Sequence, residues 1–315
     1  TDQAAVVLNL MSLCVVALLA TVTVLSIVRG LAIPIIASLT MRSQKAALWL
    51  YVTTPWAVGT LCMGSFLFSL RHPETFPLAH WHHPDVFFVD SWHSAALLIF
   101  CLFSAVVLVR RLRLRAHHDG KLRLLREMSH ASESIGHDVV VLESPSPSAF
   151  AAGFLYPKCY ITTGLMERMT ESELSIIVDH ERAHIAHRDP LKMWLFGTFA
   201  SIYPRSVARR LNAAFTAVTE MIADERVSKS YCAFDIAETL IKAARIQRST
   251  AVASQTASFF GANCVELRVR SLIYPGAGRR SFPGTSYYMI LVAAICGALL
   301  SVDSLHHLVE TVFHH

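Results

Sequence analysis

The sequence predicts a helical membrane protein with four transmembrane helices and a mostly helical α+β domain inserted before the last of them. Its 315 residues are 53% hydrophobic and only 16% charged, with a mean hydropathy of +0.44. Such a chain is too apolar for a soluble protein of this length. Four uncharged stretches are long enough to cross a bilayer, and they hold residues 4–28, 46–70, 92–109 and 281–302.

These stretches divide the chain into three parts. Residues 1–109 form a three-span membrane unit, residues 110–280 the inserted domain, and residues 281–315 the fourth span with a short tail. A shorter apolar run at 193–204 cannot cross a bilayer, and we expect a helix there that is buried or rests on the membrane surface. Early in the insertion we expect a helix, a short strand and a hairpin of two strands, at 122–130, 139–142, and 149–155 with 158–162.

The positions of the basic residues predict the topology. Seven Lys and Arg residues follow the third span between positions 110 and 126, opposed only by Asp119. Because basic flanks stay on the cytoplasmic side, the inserted domain should face the cytoplasm and both termini should lie outside. The same cluster could bind nucleic acid, but the flank of a span that rests on anionic lipid needs the same residues. We therefore expect lipid, and no nucleic acid, as its partner.

The most informative segment is His180-Glu181-Arg182-Ala183-His184. At about 100° per residue, His180 and His184 lie one turn apart on one helical face, so both imidazoles can reach one metal ion. Glu181 then lies beside the open side of that metal, where a zinc peptidase needs a general base. The competing interpretation is a polar helix face without metal.

Flanking residues indicate where this helix begins and ends. Thr170 and Glu173 have the spacing of a capping box, which predicts a helix that starts after Thr170. Proline disfavours helical geometry in the residue before it, so Asp189-Pro190 predicts the end. Arg188-Asp189 is either an ion pair that ends the helix or a brace for the metal helix.

A catalytic zinc ion usually takes three protein ligands, so a third must come from elsewhere in the chain. Glu220 lies in a helical-looking stretch, and Asp224 follows one turn later on the same face. This spacing lets Glu220 bind the metal while Asp224 accepts a hydrogen bond from the outer nitrogen of a ligand histidine. An oxyanion stabiliser is also expected, with His187 and Arg226 as weak candidates by proximity alone.

Further short motifs accompany the metal residues. They are residues 148–157 and 161–165, Glu173-Leu174, Arg188-Asp189 and Ala223-Asp224. With these motifs and this order of spans, the sequence resembles the BlaR/MecR type of membrane zinc metalloprotease. The resemblance implies a zincin-like, gluzincin-type protease domain, a bacterial inner membrane, and a substrate that is a regulatory or membrane-associated protein. It also implies self-cleavage and a homodimer, which no residue of this chain demonstrates.

The antibiotic sensors of that family carry a large extracellular penicillin-binding domain after the fourth span. In this sequence only residues 303–315 follow the predicted fourth span, so the resemblance does not extend to direct acylation by β-lactams. HtpX and CAAX proteases share the metal helix and the later Glu with Ala-Asp, although their arrangement of spans fits less well. The alternatives are an HtpX-like quality-control protease and a non-catalytic membrane receptor that retains a zinc fold. The intact Glu181 argues against the receptor, because a structural site needs no base.

Overall fold

A computed structural model describes residues 3–71, 92–127, 129–131, 139–153, 156–250 and 257–275. The predicted fourth span lies outside these ranges, as does the end of the first predicted hairpin strand at residues 154–155. Within the described ranges three helices are long and apolar enough to cross a membrane: α1 (Gln3–Ala37), α2 (Met41–Arg71) and α3 (Trp92–Glu127). Each of the first three predicted spans falls within one of them.

A small sheet of four strands begins the inserted domain: β1 (Ser129–Ala131), β2 (Val139–Leu142), β3 (Ala149–Ala152) and β4 (Lys158–Thr162). The strand order is β1-β2-β4-β3, with β2 parallel to β4 and the other two pairs antiparallel. The predicted strand at β2 and the hairpin of β3 with β4 are therefore confirmed. β3 forms one edge of the sheet.

In the part of the chain that the structure describes, six helices follow the sheet: α4 (Thr163–Met166), α5 (Glu171–Ala186), α6 (Asp189–Ala200), α7 (Arg205–Val227), α8 (Ala233–Thr250) and α9 (Ala257–Ile273). The apolar run at 193–204 supplies most of α6, where Phe196 and Ala200 are fully buried. The expectation of a buried helix is confirmed there.

Two predicted boundaries were wrong. The helix expected at 122–130 is the end of α3, and it stops at Glu127 because Ser129–Ala131 pair with β2 as a strand. The metal helix ends at Ala186, and Asp189-Pro190 instead begins α6. Proline suits a first helical turn because its missing N–H would have no helical partner there. Arg188 makes the corner between the two helices with a positive φ of 51°.

The membrane unit and the inserted domain share one apolar core. Trp49 on α2 packs edge-on against Phe196 of α6 and Phe215 of α7, with ring centroids 5.4 and 5.6 Å apart. The hydroxyl of Tyr203 donates to the backbone carbonyl of Tyr51 at 2.7 Å. A guanidinium of α3 also reaches α6, because Arg111 donates to the carbonyl oxygen of Gly197. Helices α6 and α7 are thus packed directly on the spans.

Candidate metal centre

Helix α5 positions the first two histidines, and its start follows from the capping box. The Thr170 hydroxyl accepts from the Glu173 amide at 3.3 Å, and the Glu173 carboxylate accepts from the Thr170 amide at 2.8 Å. This reciprocal pair satisfies two backbone donors that a helix start otherwise leaves unbonded. Lys242 of α8 donates to the same carboxylate at 2.6 Å. The predicted helix start is confirmed.

Three donor groups converge between α5 and α7. Ligand atoms of His180, His184 and Glu220 all lie within 4.8 Å of one another. The two Nε2 atoms are 3.2 Å apart. Glu220 places Oε2 at 3.2 Å from Nε2 of His180 and Oε1 at 3.6 Å from Nε2 of His184. Two imidazoles and a carboxylate that meet in this way form a set suited to zinc.

The outer nitrogen of each histidine faces a carboxylate. Nδ1 of His180 lies 3.0 Å from Asp224, and Nδ1 of His184 lies 3.0 Å from Asp189. A carboxylate beside Nδ1 holds the proton there and leaves the Nε2 lone pair for a metal. The sequence anticipated such a role for Asp224. For Asp189, the structure favours the brace, since its carboxylate pairs with His184.

Arg268 of α9 is the residue at this centre that sequence reasoning missed. Its guanidinium donates two hydrogen bonds to the Asp224 carboxylate, of 2.7 and 2.8 Å. The same guanidinium lies 3.0 Å from Oε2 of Glu220. Nothing in its local sequence signals this contact, because Arg268 is 44 residues from Asp224.

The pKa shifts of His184 and Glu220 both favour positive charge at the centre. Burial lowers the pKa of His184, but hydrogen bonds to Asp189 and Glu220 outweigh burial and raise that pKa to about 10. Burial raises the pKa of Glu220, yet hydrogen bonds from both histidines hold it well below its usual range. Glu220 is therefore ionised, and a metal ion would take the place that protons otherwise occupy on the imidazoles.

The charges around the histidines also fit a divalent cation. The charged groups are Lys45, Glu181, Asp189, Glu220, Asp224 and Arg268. When all are ionised, four carboxylates and two cations leave two negative charges, which one Zn²⁺ neutralises. Without such an ion, protons on the two imidazoles have to neutralise the same two charges, because a buried excess of negative charge is costly.

Glu181 lies beside the donor set with its pKa raised by burial. Its carboxylate accepts a hydrogen bond from the backbone N–H of Ala151 on edge strand β3. Glu181, both histidines and Glu220 line a cavity of about 360 Å³, which strand β3 also borders. A carboxyl group whose pKa is raised above its ordinary value is better matched to proton transfer near neutral pH.

The weaker sequence candidates lie elsewhere. His187 and Arg226 contact each other at 3.4 Å, and neither lines the cavity. Glu225, a carboxylate next to Asp224 on α7, is exposed and does not line the cavity. Among the described residues, the donor set therefore consists of the three ligands that the sequence suggested.

Comparison with known proteins gives a consistent picture. Residues 116–253 match the model of Peptidase family M48. A Protease HtpX homolog of Moorella thermoacetica is 39% identical over 66 residues, which are 20% of this chain and 22% of that protein. Protease HtpX of Legionella pneumophila (strain Corby) is 34% identical over 70 residues, 22% of this chain and 25% of that protein.

A Protease HtpX homolog of a Sulfurovum species is 28% identical over 100 residues, 31% of this chain and 35% of that protein. The chain thus spans about a fifth to a third of the length of these relatives. The M48 match indicates a protease, and that family depends on zinc. The matched M48 segment, the HtpX relatives, the three apolar helices of the described residues and the His-His-Glu group are consistent with one another.

Proposed function

We propose that this chain is an integral membrane zinc endopeptidase, in which His180, His184 and Glu220 bind the metal and Glu181 is the general base. The observation that carries the proposal is the convergence of two Nε2 atoms and one carboxylate beside Glu181 in an accessible cavity. A structural zinc site is closed and needs neither a base nor a cavity.

The chemistry follows from these positions. When bound, zinc supplies a Lewis acid and lowers the pKa of a coordinated water to about 7. Glu181 takes a proton from the attacking water and passes it to the leaving amine nitrogen. Asp224 and Asp189 keep the two imidazoles in the tautomer that presents Nε2. Peptide hydrolysis then requires no covalent intermediate with the protein.

The position of edge strand β3 favours the proposal that the substrate is a peptide. In the described sheet β3 pairs only with β4, and residues 149–151 of this edge strand line the cavity. An extended peptide can add to such an edge as a further strand, with backbone hydrogen bonds that do not depend on its side chains. Ile176, Leu240 and Ala243 line the same cavity. We propose that this apolar wall accepts an apolar side chain next to the bond that is cut.

The test is Glu181→Gln in the full chain, with Glu171→Gln as a matched control in the exposed first turn of the same helix. We expect Glu181→Gln to keep its zinc by elemental analysis and to lose about 10²–10⁴-fold in peptide cleavage, because an amide cannot accept the proton. Glu171→Gln should cut like the wild type. Near wild-type cleavage by Glu181→Gln would show that the proposed base is wrong.

For the substrate, we propose a regulatory or membrane-associated protein, cut at one place, as the BlaR/MecR resemblance implies. The second candidate is an HtpX-like quality-control protease, which the HtpX relatives favour. Mass spectrometry of cells that carry wild type or Glu181→Gln separates the two. One accumulating protein supports regulation, whereas many misfolded membrane proteins support quality control. A wild-type chain with zinc but no cleavage would leave the non-catalytic receptor.

We further propose that residues 110–280 are a protease domain in the cytoplasm of a bacterial inner-membrane protein with both termini outside. Support comes from α3, a single helix that continues from the predicted third span at 92–109 into the basic residues between positions 110 and 126. Reporter fusions near Gly120 should report the inside and fusions near Pro77 the outside. The reverse pattern would place the protease domain outside and exclude cytoplasmic substrates. Pairing of two copies rests on the family resemblance alone.

A further inference from the structure

One cation at the metal centre comes from a membrane span. Nζ of Lys45, near the start of α2, donates to Oδ1 of Asp189 at 3.0 Å. The two residues are 144 positions apart in the chain. The Asp189 side chain is only 3% exposed and that of Lys45 17%. This ion pair is therefore a largely desolvated contact between the membrane unit and the protease domain.

The same carboxylate holds a metal-binding histidine with its other oxygen. Oδ2 of Asp189 lies 3.0 Å from Nδ1 of His184. Each Asp189 oxygen thus has one partner, one on span α2 and one on metal helix α5. Rotation of the carboxylate to follow either partner would lengthen its bond to the other.

The packing makes the position of Lys45 depend on the span. The Lys45 ammonium lies 5.6 Å from the ring centroid of Phe215 on α7, and Trp49 one turn later packs on that ring as well. Tyr51 ties α2 to α1 through a hydrogen bond from its hydroxyl to the Leu25 carbonyl. A close-packed interface of this kind transmits displacements and does not absorb them. A shift of α2 by about 1 Å would stretch a 3.0 Å hydrogen bond beyond its useful range.

We propose that Lys45 is a positioning residue that acts through Asp189 on His184, so that the position of span α2 sets zinc affinity. The inference rests on the proposed zinc site and adds its regulation. When Lys45 holds Oδ1, the carboxylate is oriented and His184 keeps Nδ1 protonated and Nε2 directed at the metal. When α2 withdraws Lys45, a buried carboxylate oxygen loses its partner and Asp189 reorients. By linkage, bound zinc must favour the α2 position in which the pair is made.

The test measures zinc and does not require cleavage. Lys45→Met keeps most of the side chain but removes the charge, and Lys45→Arg restores a donor. Arg42→Met is the matched control, because Arg42 is an exposed base one turn earlier on α2 and has no ion pair among the described residues. Zinc affinity of the full chain in detergent is read by chelator competition, and the ligand geometry by the absorption spectrum of bound cobalt(II).

We expect Lys45→Met to weaken zinc binding about 3–10-fold and to shift the cobalt spectrum, somewhat less than loss of a direct hydrogen-bond partner costs. Lys45→Arg should recover most of the affinity, and Arg42→Met should match the wild type. In an Asp189→Asn background, Lys45→Met should add less than about 2-fold, because its effect passes through the carboxylate.

Unchanged zinc affinity and cobalt spectrum in Lys45→Met would overturn the inference. So would a full, additive loss in the Asp189→Asn background, which would show that Lys45 acts through packing on Phe215. These results are separable from the proposed function. If zinc binding depends on Lys45 but the chain cleaves no peptide, the proposed protease function is wrong and the role of Lys45 stands. If the chain cleaves normally but zinc binding does not depend on Lys45, the role of Lys45 is wrong and the protease function stands.

Discussion

His180 and His184 stand one turn apart on α5, yet the structures that hold their outer nitrogens differ. Asp224 supports His180 and is itself held by Arg268 with two hydrogen bonds, of 2.7 and 2.8 Å. Asp189 supports His184 and is held by Lys45 with one, of 3.0 Å. A guanidinium fixes a carboxylate in a plane, whereas an ammonium group on a flexible stem fixes only a distance.

The origin of the two cations differs as well. Arg268 lies on α9 of the inserted domain, while Lys45 lies on span α2. The His180 side is thus stabilised within the domain, and the His184 side depends on the membrane unit. A protease that responds to its membrane segments would need this asymmetry, with one ligand held firmly and the other held by a contact that can move.

The largest effect on stability should come from the His180 side of the centre, which Arg268 holds. Arg268→Met leaves the buried Asp224 carboxylate and the partly exposed Glu220 carboxylate without their cation, and loss of one partner of a buried ion pair costs about 3–5 kcal/mol. We expect that drop in unfolding free energy, measured by denaturant titration in detergent with a chelator present. Added zinc should restore part of it by replacing the lost charge. Arg270→Met, an exposed base on the same helix, is the control. Equal stability of Arg268→Met and wild type would contradict the role of the guanidinium.

The next largest effect should come from Glu220, whose carboxylate lies beside both histidines. Glu220→Ala should weaken zinc binding by more than the roughly 100-fold that loss of an outer hydrogen-bond partner can cost, because two histidines alone under-coordinate the metal. Asp224→Ala should weaken it by about 10–100-fold. Glu225→Ala, on the exposed side of α7, should not change it. Zinc content by elemental analysis decides the matter, and full occupancy in Glu220→Ala would move the third ligand elsewhere.

The smallest effect concerns the start of α5, which carries both histidines. Glu173→Gln weakens the capping box and the contact with Lys242, and we expect a loss of about 0.5–1 kcal/mol at neutral pH. Burial raises the Glu173 pKa, but hydrogen bonds from Lys242 and Thr170 outweigh it and lower the pKa. The stabilisation is therefore complete above the unfolded-state pKa of about 4.3 and disappears as pH falls through the lower folded-state value.

Thermal unfolding of wild type and Glu173→Gln between pH 3 and 7 tests this sign. The gap between the two should close toward acid. A gap that widens on acidification would mean that the Glu173 carboxylate is not the stabilising form.

How much could be predicted from the sequence depended on the range of the interaction. The capping box at Thr170 and the spacing of His180 and His184 are local, and both histidines lie where helical geometry puts them. The spacing of Glu220 and Asp224 correctly placed them one turn apart on one helix. Their roles as ligand and brace remain predictions, which the zinc measurements on Glu220→Ala and Asp224→Ala test.

The errors have the opposite character. Ser129–Ala131 continue a helical pattern in the sequence, and only their pairing with β2 makes them a strand. Asp189-Pro190 indicates a break between two helices, but the sequence does not say whether this pair ends the first helix or begins the second. Lys45 and Arg268 reach the centre across 144 and 44 residues from the aspartates they contact. Such contacts exist only after α2 and α9 have packed against the domain, so no local pattern carries them.

The core that α2 shares with α6 and α7 decides whether the inserted domain can be separated from the membrane spans. Residues 110–280 look like a transplantable unit, because a span precedes them and a further span is predicted after them. Excised from the chain, however, that fragment would lack the Lys45 contact to Asp189 and would present Phe196 and Phe215, now fully or nearly fully buried, to water. An apolar patch of that kind promotes aggregation. Recombination between family members should therefore exchange α2 together with α6 and α7, and insertion into the membrane should precede assembly of the metal centre.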